Sequence, residues 1–422
     1  MRAQCDRRAA RACSVLTAVR RAAGAALVAV LCAALAAAQA SAPGAPLLAA
    51  IERAPLIVVG RVTDIVPLDA SAYGAQLRVA RGLRGPIKAG DSLSVAWEEP
   101  GRPQTPRLNA GQDVLIALED PPSQSLWRRR MQARPTLHVI AADGNAFWPA
   151  PAAPDLKALA GYVALPADAP ASQRASALVT LAGLGSDTLA TAAIARMAAQ
   201  PDLAAQLAAK DVERLLRLAM EPHRPQGVRR AIIEIAASAR WKAAIGPLQR
   251  IPRSDPLAAL ALQALGQLDA LPPDQVEALL NDQRADLRAV GARYATGALA
   301  ERRLPTLARA DASPQVRAAA VAGLAATRTI WGVDGCMPAL ADADPTVRNA
   351  AVTGLGRLGA PAVPALEDVA RTSPPRAAGA MAALALAGPP GDAALRRLMQ
   401  NGPNEQVRAL ARLALGQGPG EH

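Results

Sequence analysis

The chain has 422 residues, 51% hydrophobic, 19% charged and only 2% aromatic, and roughly a quarter are alanine. This is ordinary for a folded protein, but it excludes a core filled with aromatic rings throughout and favours closely packed helices with small contact residues. The formal charge is +12, with only four lysines (Lys88, Lys157, Lys210, Lys242), and residues 1–40 supply +5 of it; the remaining +7 is too mild to point to nucleic acid.

Residues 1–21 are basic, residues 22–38 carry no charge, and Ala38-Gln39-Ala40 precedes Ser41, with Pro43 and Pro46 beyond. Basic, apolar, then small-x-small is the order of a secretory signal peptide. The sequence therefore predicts export, to the periplasm or outside the cell, with cleavage before Ser41. Retention as an anchor is the alternative, although the apolar run is short and alanine-rich for a permanent span. Leu31 before Cys32 argues against lipid attachment. No later stretch is long and apolar enough to span a bilayer, so no stable transmembrane segment is expected after cleavage. Cys5, Cys13 and Cys32 fall in this segment, leaving Cys336 without a disulfide partner.

From residue 41 to 165 the sequence predicts a small β-barrel domain with its linker. Leu56 to Val66 is β-branched, Gln76–Val79 and Leu93–Trp97 alternate, and Val114–Leu118 is continuously apolar, as a strand buried on both faces would be. Leu137 to Trp148 reads as a hairpin around Asp143-Gly144. Ile57-Val58-Val59-Gly60-Arg61-Val62, Leu83-Arg84-Gly85, Gly90-Asp91-Ser92-Leu93 and Gly111 to Leu118 resemble a barrel of exported bacterial proteins. That barrel is similar to oligonucleotide/oligosaccharide-binding (OB) folds and to the netrin module. The cysteine that opens netrin-type domains has no counterpart near Ser41, so protease inhibition is not implied. A nucleic-acid role would need stacking aromatics beside cations; the candidates are Tyr73, Trp97, Trp127, Phe147 and Trp148, with the basic run Trp127-Arg128-Arg129-Arg130 and Arg134. The bland reading of that run, a solvated loop, is preferred.

From residue 166 to 422 the period changes to that of helices and the sequence repeats itself. Asp311-Ala-Ser-Pro314-Gln-Val316-Arg317 is echoed by Asp342-Ala-Asp-Pro345-Thr-Val347-Arg348, with weaker copies around Arg229, Arg288, Arg376 and Arg408. The arginines recur every 28 to 32 residues from Arg288 to Arg408, giving about eight copies of a helix pair, with Asp202–Met220 as one long, less typical helix. Asp or Ser followed by Pro starts each second helix, and a single pair cannot bury both faces, so the copies must stack. These residues resemble HEAT repeats of the short bacterial kind named for phycobilisome lyases. The resemblance implies an α-solenoid, and such solenoids mostly bind other proteins.

The fold class expected is thus a small OB-like all-β domain followed by an all-α HEAT-like solenoid. Arg288, Arg317, Arg348 and Arg408 are expected to form a ladder, each guanidinium forking onto the turn of a neighbouring repeat. The concave face is expected to be lined by residues one and five places after each ladder position: Arg230 and Glu234, Ala289 and Arg293, Ala318 and Ala322, Asn349 and Thr353, Ala377 and Met381, Ala409 and Leu413. Such a groove suits a protein or peptide partner better than nucleic acid, whose phosphates would need cations along its length. No cofactor, metal or catalytic cluster is expected: His138, His223 and His422 are too few for the di-iron site of a deoxyhypusine-hydroxylase-like solenoid, and Cys336 reads as a small repeat position. The rival reading is a lyase-like or hydrolytic enzyme of the cell envelope.

Overall fold

The structure, a computed structural model, describes residues 45–68, 72–98, 108–121, 137–141, 146–166, 168–184 and 186–416. The expected signal segment, Trp127 with its arginine run, and Asp143-Gly144 lie outside the described residues. Two compact units divide between Ala239 and Arg240.

The first unit opens with α1 (Ala45–Arg53), then β1 (Leu56–Pro67), β2 (Ala72–Arg84), β3 (Ser92–Glu98), β4 (Asp113–Glu119), β5 (Leu137–Ile140) and β6 (Phe147–Pro149). The strands are ordered β1-β2-β3-β5-β4, and β1 pairing with β4 closes the barrel. Only β3 and β5 run parallel; the other pairs are antiparallel. This is the small closed five-stranded barrel, in the OB order. Ile57, Val58, Val62, Leu77, Val95 and Ile116 are fully buried and fill it. All five residues from Val114 to Leu118 are buried, as their unbroken apolar run demands. Tyr73 faces Trp97 across β2 and β3, their rings stacked at 5.7 Å. Trp97 is 1% exposed, so this pair is core packing rather than an open platform for bases.

One expectation is corrected here. Residues 137–148 are not a hairpin, because β5 and β6 run the same way along β4, with Ile140 opposite Leu118 and Phe147 opposite Ile116. Residues 45–53, ahead of the first expected strand, form a helix, whose Leu47, Leu48 and Ile51 lie on one buried face.

Helices complete the unit: α2 (Ala153–Val163), α3 (Ala171–Ala182), α4 (Asp187–Ala199), α5 (Pro201–Ala205), α6 (Ala209–Met220) and α7 (Gln226–Ser238). The expected long helix Asp202–Met220 is two helices, interrupted between Ala205 and Ala209. Arg84, at the end of β2, docks helices onto the barrel. Its guanidinium donates to the carbonyls of Ile51 at 2.6 Å, Ala54 at 3.0 Å and Val163 at 3.3 Å, satisfying the orphan carbonyls where α1 and α2 end.

The second unit alternates A helices and B helices. The A helices are α8 (Ile245–Gln249), α10 (Pro273–Leu280), α12 (Gly297–Ala310), α14 (Ile330–Cys336), α16 (Val363–Thr372) and α18 (Pro389–Asn401). The B helices are α9 (Ala258–Gln267), α11 (Ala285–Tyr294), α13 (Pro314–Ala326), α15 (Pro345–Leu358), α17 (Pro374–Leu386) and α19 (Glu405–Ala414). The prolines at the starts of α13, α15 and α17 sit where a missing N–H costs nothing. A residue with positive φ recurs at the turns: Arg240, Asp269, Gly297, Arg328, Gly359, Gly388 and Gly416, 28 to 31 residues apart. One core runs through the stacked pairs, built from Leu304, Val316, Val321, Leu324, Val347, Leu355 and their repeats. Small residues set the approach of the helices. A Cβ on Gly354 would stand 2.7 Å from the Cβ of Ala325, so α15 meets α13 closely only because position 354 is bare.

Candidate functional site

The arginines after each B-helix start take up two kinds of contact. Arg288 forks onto Asp311 at 2.9 and 3.0 Å and donates to the carbonyls of Asp282 and Gln283. Arg317 forks onto Asp342 at 2.8 Å on both oxygens and donates to the carbonyl of Asp311. Each aspartate also accepts from a backbone N–H two residues on, of Ser313 and Asp344 respectively. The forked arginine hydrogen bonds hold both carboxyls below the usual aspartate range. Arg348 donates to the carbonyls of Asp342 and Ala343 in its own turn and meets no aspartate fork. The turn that opens the next copy, Thr372-Ser373 before α17, carries no aspartate. Arg408 turns onto Glu405 in its own helix and the carbonyl of Gly402. The expected ladder is therefore corrected at its last two rungs: repeat-to-repeat forks are made by Arg288 and Arg317 alone of the four.

The expected lining residues divide as well. Arg230 and Glu234, in the first unit, are exposed and pair with each other at 3.0 Å. In the second unit Arg293, Ala322, Asn349, Thr353, Ala409 and Leu413 are exposed, and Ala318 is half-buried. Ala289, Ala377 and Met381 are buried, which corrects their placement on an open face. For Ala377 and Met381 the reason is a one-residue slip. Leu324 and Leu355 follow their arginines by seven residues, whereas Leu384 follows Arg376 by eight. Ala377 therefore occupies the ladder position, and Met381 turns into the core. Ala378 and Ala382 are the exposed pair on α17. Ala289 belongs to the same buried cluster as Val316 and Ala319 of the following B helix.

Three of the expected residues, Ala322, Asn349 and Thr353, line one cavity of about 550 Å³ between α13 and α15. Its floor is small: Ala325, Ala326, Ala350 and Gly354. Thr346 and Leu358 close its ends, and Arg328 and Arg357 bring two guanidiniums to it. The lining holds no carboxylate, imidazole or thiol. Immediately after Arg328 stand Ile330 and Trp331, 76% and 71% exposed, on the first turn of α14. Thr329 accepts from Gly332 N–H and fixes that turn. The repeat pattern flags Ala322, Asn349 and Thr353; it does not flag Arg328, Ile330 or Trp331, which lie in the variable stretch between copies.

A second cavity, of about 540 Å³, lies in the first unit between α1 and the helices α2 to α4. Glu52 accepts from Arg196, in a two-nitrogen fork, and from the Tyr162 hydroxyl at 2.5 Å. Burial, then the Glu52 hydrogen bond, pushes the Tyr162 phenol up, so it stays protonated. Both oxygens of Glu52 are engaged, and the cluster reads as a dock for α1 rather than an acid–base pair.

The remaining reactive groups are quiet. The Cys336 thiol is fully buried, hydrogen-bonded to the carbonyl of Val321 at 3.3 Å, and pushed up to about 12 by burial. Burial lowers the pKa of His138, on β5, despite Asp120 at 3.3 Å; His223 is exposed beside Glu221. Among the described residues no three His, Cys, Asp or Glu side chains converge as a metal site requires. No helix among them is long and apolar enough to cross a membrane.

Residues 301–387, from within α12 to just past α17, match the family model of HEAT repeats. The structure of human deoxyhypusine hydroxylase in complex with glycerol is similar at 21% identity and a TM-score of 0.23, over 63% of this chain and 96% of that one. No curated protein matches the chain.

Proposed function

We propose that this HEAT-repeat chain is an exported, non-enzymatic scaffold that holds a segment of a partner protein in the cavity between α13 and α15. HEAT repeats commonly mediate protein interactions, and the cavity falls inside the matched repeats. The observation that carries the reading is its lining: a bare alanine and glycine floor with amide, hydroxyl and guanidinium groups around it. Such a surface admits a backbone closely and offers hydrogen bonds along it, but provides no nucleophile or general base. Export rests on the order of residues 1–40.

Two measurements test this. N-terminal sequencing of the protein from an envelope fraction is expected to begin at Ser41; a chain starting at Met1 in the membrane overturns the cleavage. Arginines placed together at Ala318, Ala322 and Thr353 are expected to leave a folded protein that no longer retains its envelope partners. Retention of every partner by that variant overturns the groove.

A further inference from the structure

The cavity carries a charge pattern that narrows its occupant. Arg328 ends the turn after α13, and Arg357 lies on the last turn of α15, the neighbouring B helix. Both are exposed, and neither pairs with a carboxylate among the described residues. Other arginines of the stack are already engaged, Arg288 and Arg317 by aspartates and Arg371 and Arg397 by Glu367. Arg328 is also expensive where it stands. Its backbone takes φ 54°, a positive value that the two following turns give to Gly359 and Gly388. Beside it the exposed Ile330 and Trp331 offer an apolar shelf of a kind that, on a chain with five tryptophans, is otherwise covered at Trp97 and Trp241.

Resting on the groove reading above, we infer that the occupant is an acidic peptide segment of a partner protein. Two of its carboxylates meet Arg328 and Arg357, small residues lie on the alanine floor, and an apolar side chain lies on Ile330 and Trp331. Neighbouring helices pack about 10 Å apart, and a polyproline II chain rises about 3.1 Å per residue with about three residues per turn, so two acids about three residues apart face the same side at that span. Guanidinium forks select carboxylates over amides because the paired N–H donors match both oxygens. A basic or neutral segment leaves both arginines unpaired.

The test is selection of a random peptide library, displayed on phage, against the immobilised protein, followed by fluorescence polarisation with an enriched peptide. Enriched peptides are expected to carry two acids about three residues apart. Changing those acids to amides is expected to weaken binding about tenfold, as are Arg328→Gly and Arg357→Gln separately. Arg328→Gly is expected to leave the melting temperature unchanged or raise it, which separates lost recognition from lost folding. Binding is expected to shift the emission of Trp331 to the blue, a shift absent in Trp331→Ala. Enriched peptides without acids, or equal binding by the Arg328→Gly/Arg357→Gln double variant, overturn the acidic occupant while leaving the groove standing. If no peptide is enriched, or enriched peptides bind the Ala318, Ala322 and Thr353 arginine variant as well as the parent, the groove reading falls and this inference with it.

Discussion

Between α11 and α15, successive repeats are joined at their turns; from α16 to α18, they are joined on the A helices. In the first region Arg288 and Arg317 reach the aspartate of the next turn, and the side chains of the Arg317–Asp342 pair are 14% and 13% exposed. In the second, Arg397 of α18 reaches Glu367 of α16 at 2.6 Å, and the arginine is 52% exposed. The same repeat pattern is present in both, yet the turn before α17, Thr372-Ser373, carries no aspartate like Asp311 or Asp342. Half of a pair is not a weaker pair. Arg348 keeps its turn carbonyls and loses the inter-repeat link altogether. A shielded fork also resists salt, whereas an exposed bridge is screened.

The largest effect on this contrast is expected from Gly354→Val. With a Cβ at 2.7 Å from that of Ala325, α13 and α15 must part, at a cost of about 3 kcal/mol in denaturant unfolding. Arg317→Ala leaves Asp342 with its carboxylate largely shielded and half of its partners gone, for about 2 kcal/mol. Arg348→Ala, which removes only bonds to carbonyls in its own turn, is expected to cost about 1 kcal/mol or less. Equal losses for the two arginines would erase the distinction between the regions.

Acid sharpens it further. Asp311 and Asp342 have folded pKa values below their unfolded ones, so their contribution is present above the ordinary aspartate range near 4 and is lost as pH falls through the depressed folded values. Melting temperature is expected to hold from pH 7 to about 5 and to fall below about 4, with a shallower fall in Asp342→Asn. The smallest effect is expected from Arg328→Gly, a gain of about 0.5 kcal/mol from relief at a positive φ, partly offset by the freer unfolded chain.

The barrel strands were legible because β-branched alternation leaves little else for such segments to do, and Val114 to Leu118 announced burial on both faces. The repeat was legible through Asp, Pro, Val and Arg at fixed offsets. What escaped had physical reasons. Leu47, Leu48 and Ile51 were too short a run to set against the strands that follow. That Leu137–Ile140 and Phe147–Pro149 run the same way is fixed only by their pairing along β4. In α17 the arginine at 376 drew the register one residue away from Leu384, the residue that sets it through the core. Arg328, Ile330 and Trp331 escaped because a search for recurrence passes over what occurs once, and a site of this kind is built from such exceptions.

Cys336 gives the middle of the second unit a built-in clock. Its sulfur is buried beneath α13 and is held as a thiol at any pH near neutrality. An alkylating reagent therefore waits for α13 and α14 to separate before it can react. The labelling rate at this position, set against that of a free thiol, reads the population of that opening when reclosing is fast, on the repeat that carries the groove and without an introduced probe.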